Sequence, residues 1–218
     1  MSTWSFMFDF DGTISPADMG HVIFNAFADQ SWRDIDEEWI QGHIPTSERA
    51  RRQFELVQVG EQEFLALIDQ HKVDPDFFAL VAFLRENGIE VQVVSDGFDV
   101  YVGRMLNTAG LGDLPFTSNV LRFRGDEIVL EFPHERAGHD PRGGWKGEAV
   151  RNVQATGCKV AYVGDGMSDL SAARAADLLF ACGRLAQCCE QEGLPHHVFA
   201  GMRDVHDWLQ VNTVATSR

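Results

Sequence analysis

The chain reads as an α/β protein: a doubly wound, mostly parallel sheet of Rossmann-like topology, with an inserted helical cap and one small β-hairpin. Three observations predict this. Residues 4–8, 89–94 and 159–163 are near-continuous apolar runs of aromatic and aliphatic side chains, the pattern of strands buried on both faces. Helix-period segments alternate with these runs, and such alternation favours parallel strands joined by crossovers. Residues 16–74 show no strand pattern, which marks them as a cap inserted into a core formed by 1–15 and 75–218.

The first run ends in Asp9 and Asp11, and Gly12 permits the chain to leave the strand sharply. Residues 17–29, 35–40, 46–58 and 61–70 read as helices, with Thr46 as an N-cap and Gly60 as the stop before Glu61. Trp32, Trp39, Phe54 and Phe64 are expected to give this insertion a small apolar core of its own. Pro75 stands near the start of an amphipathic helix that Asn87-Gly88 ends. The strand 89–94 then leads through Ser95-Asp96-Gly97 into a helix over 98–109. Residues 119–123 and 128–132 alternate about Arg124-Gly125-Asp126-Glu127, as a hairpin does. Residues 133–145 are too rich in Gly and Pro for a regular element. Helices over 146–155 and 168–175 flank the strand 159–163, and short strands at 178–181 and 197–199 each precede a helical segment.

At 218 residues the chain can bury a sizeable core, and 44% hydrophobic with 23% charged residues is an ordinary globular composition. The net charge of −15 argues against nucleic acid or an anionic membrane as the main partner, because both reward clustered Lys and Arg. An anionic substrate must then be attracted locally. The N-terminus shows no signal-peptide pattern, and no apolar run approaches the ~18 residues of a membrane span, so a cytoplasmic location is expected. Cys158, Cys182, Cys188 and Cys189 lack zinc-ligand spacing and are expected to be reduced thiols.

Asp9 and Asp11, spaced i, i+2, project to the same side of an extended chain. Paired acids at the carboxyl end of a buried strand, facing an open crevice, point to a metal and an anionic substrate. Three later stretches extend the pattern: Ser95-Asp96-Gly97 after the second strand, Lys146 at the start of a helix, and Asp165 to Asp169 after the third strand. In this order the chain resembles the haloacid dehalogenase-like phosphohydrolases, which carry Asp-x-Asp-x-Thr, then Ser/Thr, then Lys, then an acidic loop. The resemblance spans the whole chain and is thinnest between the first two motifs.

The resemblance implies a phosphatase acting on a small phosphorylated metabolite. Asp9 would be the nucleophile that forms an aspartyl-phosphate. Asp11 would protonate the leaving oxygen and then activate water. Mg²⁺ would be held by Asp9, by the backbone carbonyl of Asp11 and by Asp165, with Asp169 as an outer group. Thr13, Ser168, Ser95 and the backbone N–H groups of Asp96 and Gly97 would meet the phosphate, where Lys146 supplies a point charge. In phosphoserine phosphatases a Glu nine positions after the nucleophile meets the substrate ammonium; Asp18 stands there in this chain. Their Ser-x-Arg-x-Arg pattern matches Ser47 to Arg51, so Arg51 would meet a substrate carboxylate, with Arg49 and Arg52 as competitors. Ser168 replaces their usual Asn, and residues 177–181 with Leu185 and Cys189 look more like the methionine-salvage phosphatases that act on a hydroxy-keto phosphate.

Two other patterns compete. His134-Glu135 and His139-Asp140 bring to mind a zinc-protease helix, but histidines five apart lie on different helix faces, and Pro133, Gly138 and Pro141 oppose a helix there. His196-His197 at a strand start reads as structural. A catalytically silent binding protein on the same fold would not require Asp9, Asp11, Lys146 and Asp165 together.

Overall fold

The computed structural model of the chain describes residues 3–125, 127–135 and 144–212. Strand β1 (Trp4–Phe8) is the centre of the sheet, and Phe6, Met7 and Phe8 have no exposed surface. It pairs in parallel with β2 (Glu90–Phe98) on one side and β5 (Lys159–Gly164) on the other. Outward from β2 come β3 (Phe116–Arg124) and its antiparallel partner β4 (Glu127–Glu131). Outward from β5 come β6 (Leu178–Ala181) and β7 (His197–Val198), both parallel. The order β4-β3-β2-β1-β5-β6-β7 reverses direction at β1, so a crevice opens at the carboxyl ends of the central strands.

Period-2 alternation divides the core into two layers. Phe6 and Phe8 face helices α5 (Phe77–Glu86), α6 (Asp99–Thr108) and α10 (Met202–Val211), packing with Leu80, Val102 and Val205. Met7 faces the opposite layer, where α7 (Gly144–Gln154), α8 (Leu170–Ala173) and α9 (Gly183–Glu192) bring Val150, Ala172 and Leu185. Phe8 meets Phe77 edge-on at 5.3 Å.

Between β1 and α5 lie α1 (Met19–Phe27), α2 (Trp32–Ile40), α3 (Thr46–Phe54) and α4 (Glu61–Ile68). These helices do not form a separate core, contrary to the sequence expectation. Of the expected four, Trp32, Phe54 and Phe64 belong to the same apolar cluster as Phe6 and Phe8, joined by Phe24, while Trp39 is buried outside it. Phe54 meets Phe98 at 5.1 Å and Phe64 meets Phe123 at 5.3 Å, so aromatic rings carry the core into the insertion. A segment this short buries too little surface by itself, and the sheet layer completes it.

Several element ends shift. Strand β2 runs on through Ser95-Asp96-Gly97 to Phe98 instead of stopping at residue 94. Pro45, not Thr46, occupies the N-cap position of α3, and the Thr46 hydroxyl accepts the indole N–H of Trp39 at 3.1 Å. The stretch expected as one helix from 168 divides into a 3₁₀ turn, Met167–Asp169, and the short α8. Asp126 of the hairpin turn, and Gly138, His139, Asp140 and Pro141 of the rejected zinc pattern, lie outside the described residues.

Helices α7 and α8 approach closely through Gly147, where an added Cβ would stand 2.6 Å from the Ser171 carbonyl oxygen. Gly147→Ala is therefore expected to cost about 1–3 kcal/mol, read as a lower urea midpoint with an unchanged slope.

Candidate active site

The carboxyl end of β1 starts the site. Asp9 stays in the ladder, donating its N–H to the Val163 carbonyl at 2.9 Å, and the amides of Thr13 and Ser15 then fold back onto the Phe10 carbonyl. Gly12 has φ of 74°, and a Cβ there would lie 2.3 Å from Asp165 Oδ2. Both conformation and space demand glycine at this position. The turn presents Asp9 and Asp11 to the crevice, while the buried Thr13 hydroxyl donates to Asp165 Oδ1 at 3.2 Å. Thr13 thus touches an acid rather than open cleft.

Lys146, on the first turn of α7, is wholly buried and donates to Asp9 Oδ1 at 2.8 Å and to Asp169 Oδ1 at 2.7 Å. Ser168 Oγ lies 3.5 Å from the same ammonium and Asp96 Oδ2 lies 3.7 Å away. Asp169 has both oxygens engaged. Oδ1 also accepts the Tyr162 hydroxyl at 2.6 Å, and Oδ2 accepts the amides of Asp165 and Gly166 at 3.1 and 3.0 Å. Asp169 therefore shapes the loop that aims Asp165 at Asp9.

Asp11 is held from two sides, by the Met19 amide at 2.8 Å and the Tyr101 hydroxyl at 3.0 Å. Ser95 is buried, and its Oγ accepts the Gly97 amide at 2.9 Å, closing a small turn within β2. Asp96 Oδ1 accepts the Trp145 indole at 2.6 Å, and Trp145 stacks on His134 at 4.8 Å.

Of these groups Asp9, Asp11, Asp96, Gly97, Tyr101, Lys146, Asp165 and Ser168 line a cleft of about 250 Å³ between the sheet edge and helices α1 to α3, whereas the buried Thr13 and Ser95, expected at the phosphate, and Asp169 lie behind its wall. Asp18 reaches its rim, where it N-caps α1 by accepting the His21 amide at 2.9 Å. Arg51 does not reach the cleft. It is exposed, with its guanidinium 4.6 Å from the Phe132 ring centre beside the hairpin. Arg49 lines the cleft instead, stacked on Trp39 at 4.0 Å and paired with Asp36 at 3.2 Å. Arg52 pairs with Glu38 at 2.7 Å. Sequence reasoning missed Tyr101, Tyr162, Trp145 and the cleft-lining Arg184. No motif spacing marks them, although Arg184 follows Gly183, whose φ of 53° turns the chain over the Asp165 carbonyl.

The sequence profile of the haloacid dehalogenase-like hydrolases matches residues 6–174. The chain belongs to this family. Among family relatives, a 2-hydroxy-3-keto-5-methylthiopentenyl-1-phosphate phosphatase of Brevibacillus brevis is 30% identical over 207 residues, covering 93% of each chain. The protein of the same name from Geobacillus kaustophilus is 30% identical over 206 residues, again covering 93% of each. A solved phospho-aspartyl intermediate analogue of phosphoserine phosphatase superposes with a TM-score of 0.75 at 19% identity, covering 95% of this chain and 99% of that one. At that identity the likeness concerns the hydrolase fold. Among the described residues no helix is long and apolar enough to cross a membrane.

The electrostatics of the site follow from crowding acids in a dry crevice. Burial, then the Asp169 charge, pushes the Asp9 carboxyl well above its usual range. Asp11 rises to about 7 through burial and then the Asp18 charge, and Asp165 to about 7 through burial and then Asp169. Burial opposes the charge on Lys146, but Asp169 and Asp9 outweigh it and push its pKa up. The Tyr101 phenol is pushed up by burial and by Asp11, so it stays a donor. Cys182, beneath the acids, is pushed up to about 12 by burial, which leaves it an unreactive thiol.

Asp9, Asp165 and Asp169 each place one carboxylate oxygen within 4.8 Å of the others, a hard all-oxygen set that suits Mg²⁺. With both Asp169 oxygens already bonded, Asp9 and Asp165 are the side chains free to hold such an ion. Asp11 and Asp165 bind protons more tightly when folded, so the stability they contribute is complete below 3.8 and is lost as pH rises through about 7. Mg²⁺ is therefore expected to raise the unfolding midpoint by about 5–10 °C at a hundred times its Kd, more at pH 8 than at pH 5. Asp165→Asn should remove most of that gain in the same thermal scan.

Proposed function

We propose that the chain, a phosphoric monoester hydrolase, cleaves a small-metabolite phosphomonoester through an aspartyl-phosphate on Asp9. One observation carries the reading: Asp9, Lys146, Asp169 and Asp165, far apart in the chain, form one hydrogen-bonded cluster at the cleft floor. An Asp9 oxygen attacks phosphorus as the bond to the leaving oxygen breaks, and the Asp11 proton passes to that oxygen. Water then attacks the aspartyl-phosphate, Asp11 takes its proton, and the phosphorus–Asp9 oxygen bond breaks to release inorganic phosphate. Lys146 holds Asp9 throughout and balances the negative charge of the transferring group. A bound Mg²⁺, held by Asp9 and Asp165, would neutralise nucleophile and phosphate as they approach.

The walls of the cleft favour a methionine-salvage type substrate, a hydroxy-keto phosphate with a thioether tail, over phosphoserine. Arg51, the expected carboxylate partner, stands beside the hairpin, outside the cleft. Asp18, the expected ammonium partner, is committed to capping α1 and to His21 at 3.5 Å. The helical side otherwise offers Arg49, already balanced by Asp36, with the polar His21, Thr46 and Gln53 among Phe24, Trp39, Ile40 and Phe54. Such a wall suits neutral oxygens followed by an apolar end.

Purified protein with Mg²⁺ is expected to hydrolyse 4-nitrophenyl phosphate, and Asp9→Asn should lower kcat/KM by at least about a thousandfold. No hydrolysis across a broad phosphate panel would return the chain to the silent-binding reading. For alkyl phosphates kcat/KM should fall as pH rises above about 7, because Asp11 then loses the proton it donates. The hydroxy-keto methylthio phosphate should exceed phosphoserine in kcat/KM by at least about tenfold. The opposite preference would overturn the substrate assignment while leaving the chemistry intact.

A further inference from the structure

Tyr101 belongs to none of the motifs above, yet its phenol is built into the reaction centre. The ring is buried on α6, 6.2 Å from Phe10 and 6.4 Å from Phe98 between ring centres, and its hydroxyl donates to Asp11 Oδ2 at 3.0 Å. The approach depends on Gly97, where a Cβ would lie 2.1 Å from the phenol oxygen and 2.6 Å from Asp11 Oδ2. Both Tyr101 and Asp11 line the cleft.

We propose that Tyr101 is a positioning residue that fixes the plane of the Asp11 carboxyl toward the leaving oxygen of the substrate. The inference rests on the phosphatase reading above. A carboxyl held by one donor can pivot about that bond; one donor on each oxygen removes the freedom and leaves the remaining lone pairs in fixed directions. Here one donor, the Met19 amide, belongs to the inserted helix α1, and the other belongs to α6, which packs on the sheet that carries Asp9. Tyr101 thus ties the acid to the helix layer packed on the strand that carries the nucleophile. Positioning of this kind matters only where a proton must be delivered, and that need grows with the basicity of the leaving group.

The test is a leaving-group series read as kcat/KM, which reports the steps through transfer of phosphorus to Asp9. Tyr101→Phe should lower kcat/KM for alkyl phosphates by about tenfold. For 4-nitrophenyl phosphate, whose phenolate leaves without help, the change should stay within about twofold. An equal loss on both substrates, or no loss on either, overturns the proposal. If Tyr101→Phe does not fold, Tyr101→3-fluorotyrosine alters donor strength with little change of shape, and the alkyl-to-aryl ratio should still move; an unmoved ratio counts against the proposal. Wild-type protein inactive on every member of the series would instead sink the phosphatase reading itself.

Discussion

The buried ammonium of Lys146 is the interaction on which the rest of the site depends. Taking an ammonium out of water costs several kcal/mol, and only close, well-aligned carboxylates return it. Asp9 and Asp169 do so at 2.8 and 2.7 Å, each from a different strand end. The cluster therefore exists only if β1, β5 and α7 are all in register. That requirement reaches into the packing. The Gly147 amide donates to Ser171 Oγ at 3.0 Å, and the missing side chain at 147 lets α7 sit close enough to α8 for the next-door lysine to enter. Removing the Lys146 ammonium would leave the buried Asp9 and Asp169 carboxylates uncompensated, a loss of about 3–5 kcal/mol, so fold and chemistry are coupled here.

The second constraint is the continuity of the apolar core into the inserted helices. Phe24, Phe54 and Phe98 form a chain of edge-on contacts at 5.2 and 5.1 Å that leads from the sheet layer to the cleft wall. The same helices supply the Met19 amide to Asp11 and the Arg49–Trp39 stack to the cleft. One insertion thus touches both Asp11, the proton carrier in the proposed mechanism, and the cleft wall proposed to meet the organic part of a substrate. Its position is fixed by rings rather than by a separate core, which ties substrate recognition to the stability of the whole molecule.

Much of the fold was legible because buried parallel strands are written as apolar runs, and acids at their ends stand out against that background. Asp9, Asp11, Asp165 and Asp169 are visible for this reason, whereas Lys146 gains meaning only from its place in a motif order. Tyr101 and Tyr162 were silent. Each fits an apolar pattern, and a hydroxyl reaching a carboxylate leaves no mark on periodicity. Arg49 and Arg51 show a different limit. Two residues apart on a helix is a rotation of roughly 200°, so they flank opposite edges of the stripe formed by Ser47, Ala50 and Phe54. One edge faces the cleft and the other the hairpin, and spacing alone does not say which. The small core expected for the insertion failed for a related reason: a sequence lists its aromatics without saying that they reach the sheet.

The most direct test of the central claim is a crystal structure of the protein with Mg²⁺ and beryllium fluoride, which mimics a phosphoryl group on a carboxylate. The expected result is an adduct on an Asp9 oxygen, with Mg²⁺ held by Asp9 and Asp165 and the Lys146 ammonium still bonded to Asp169. An adduct on another side chain, or a Lys146 withdrawn from both acids, would contradict it.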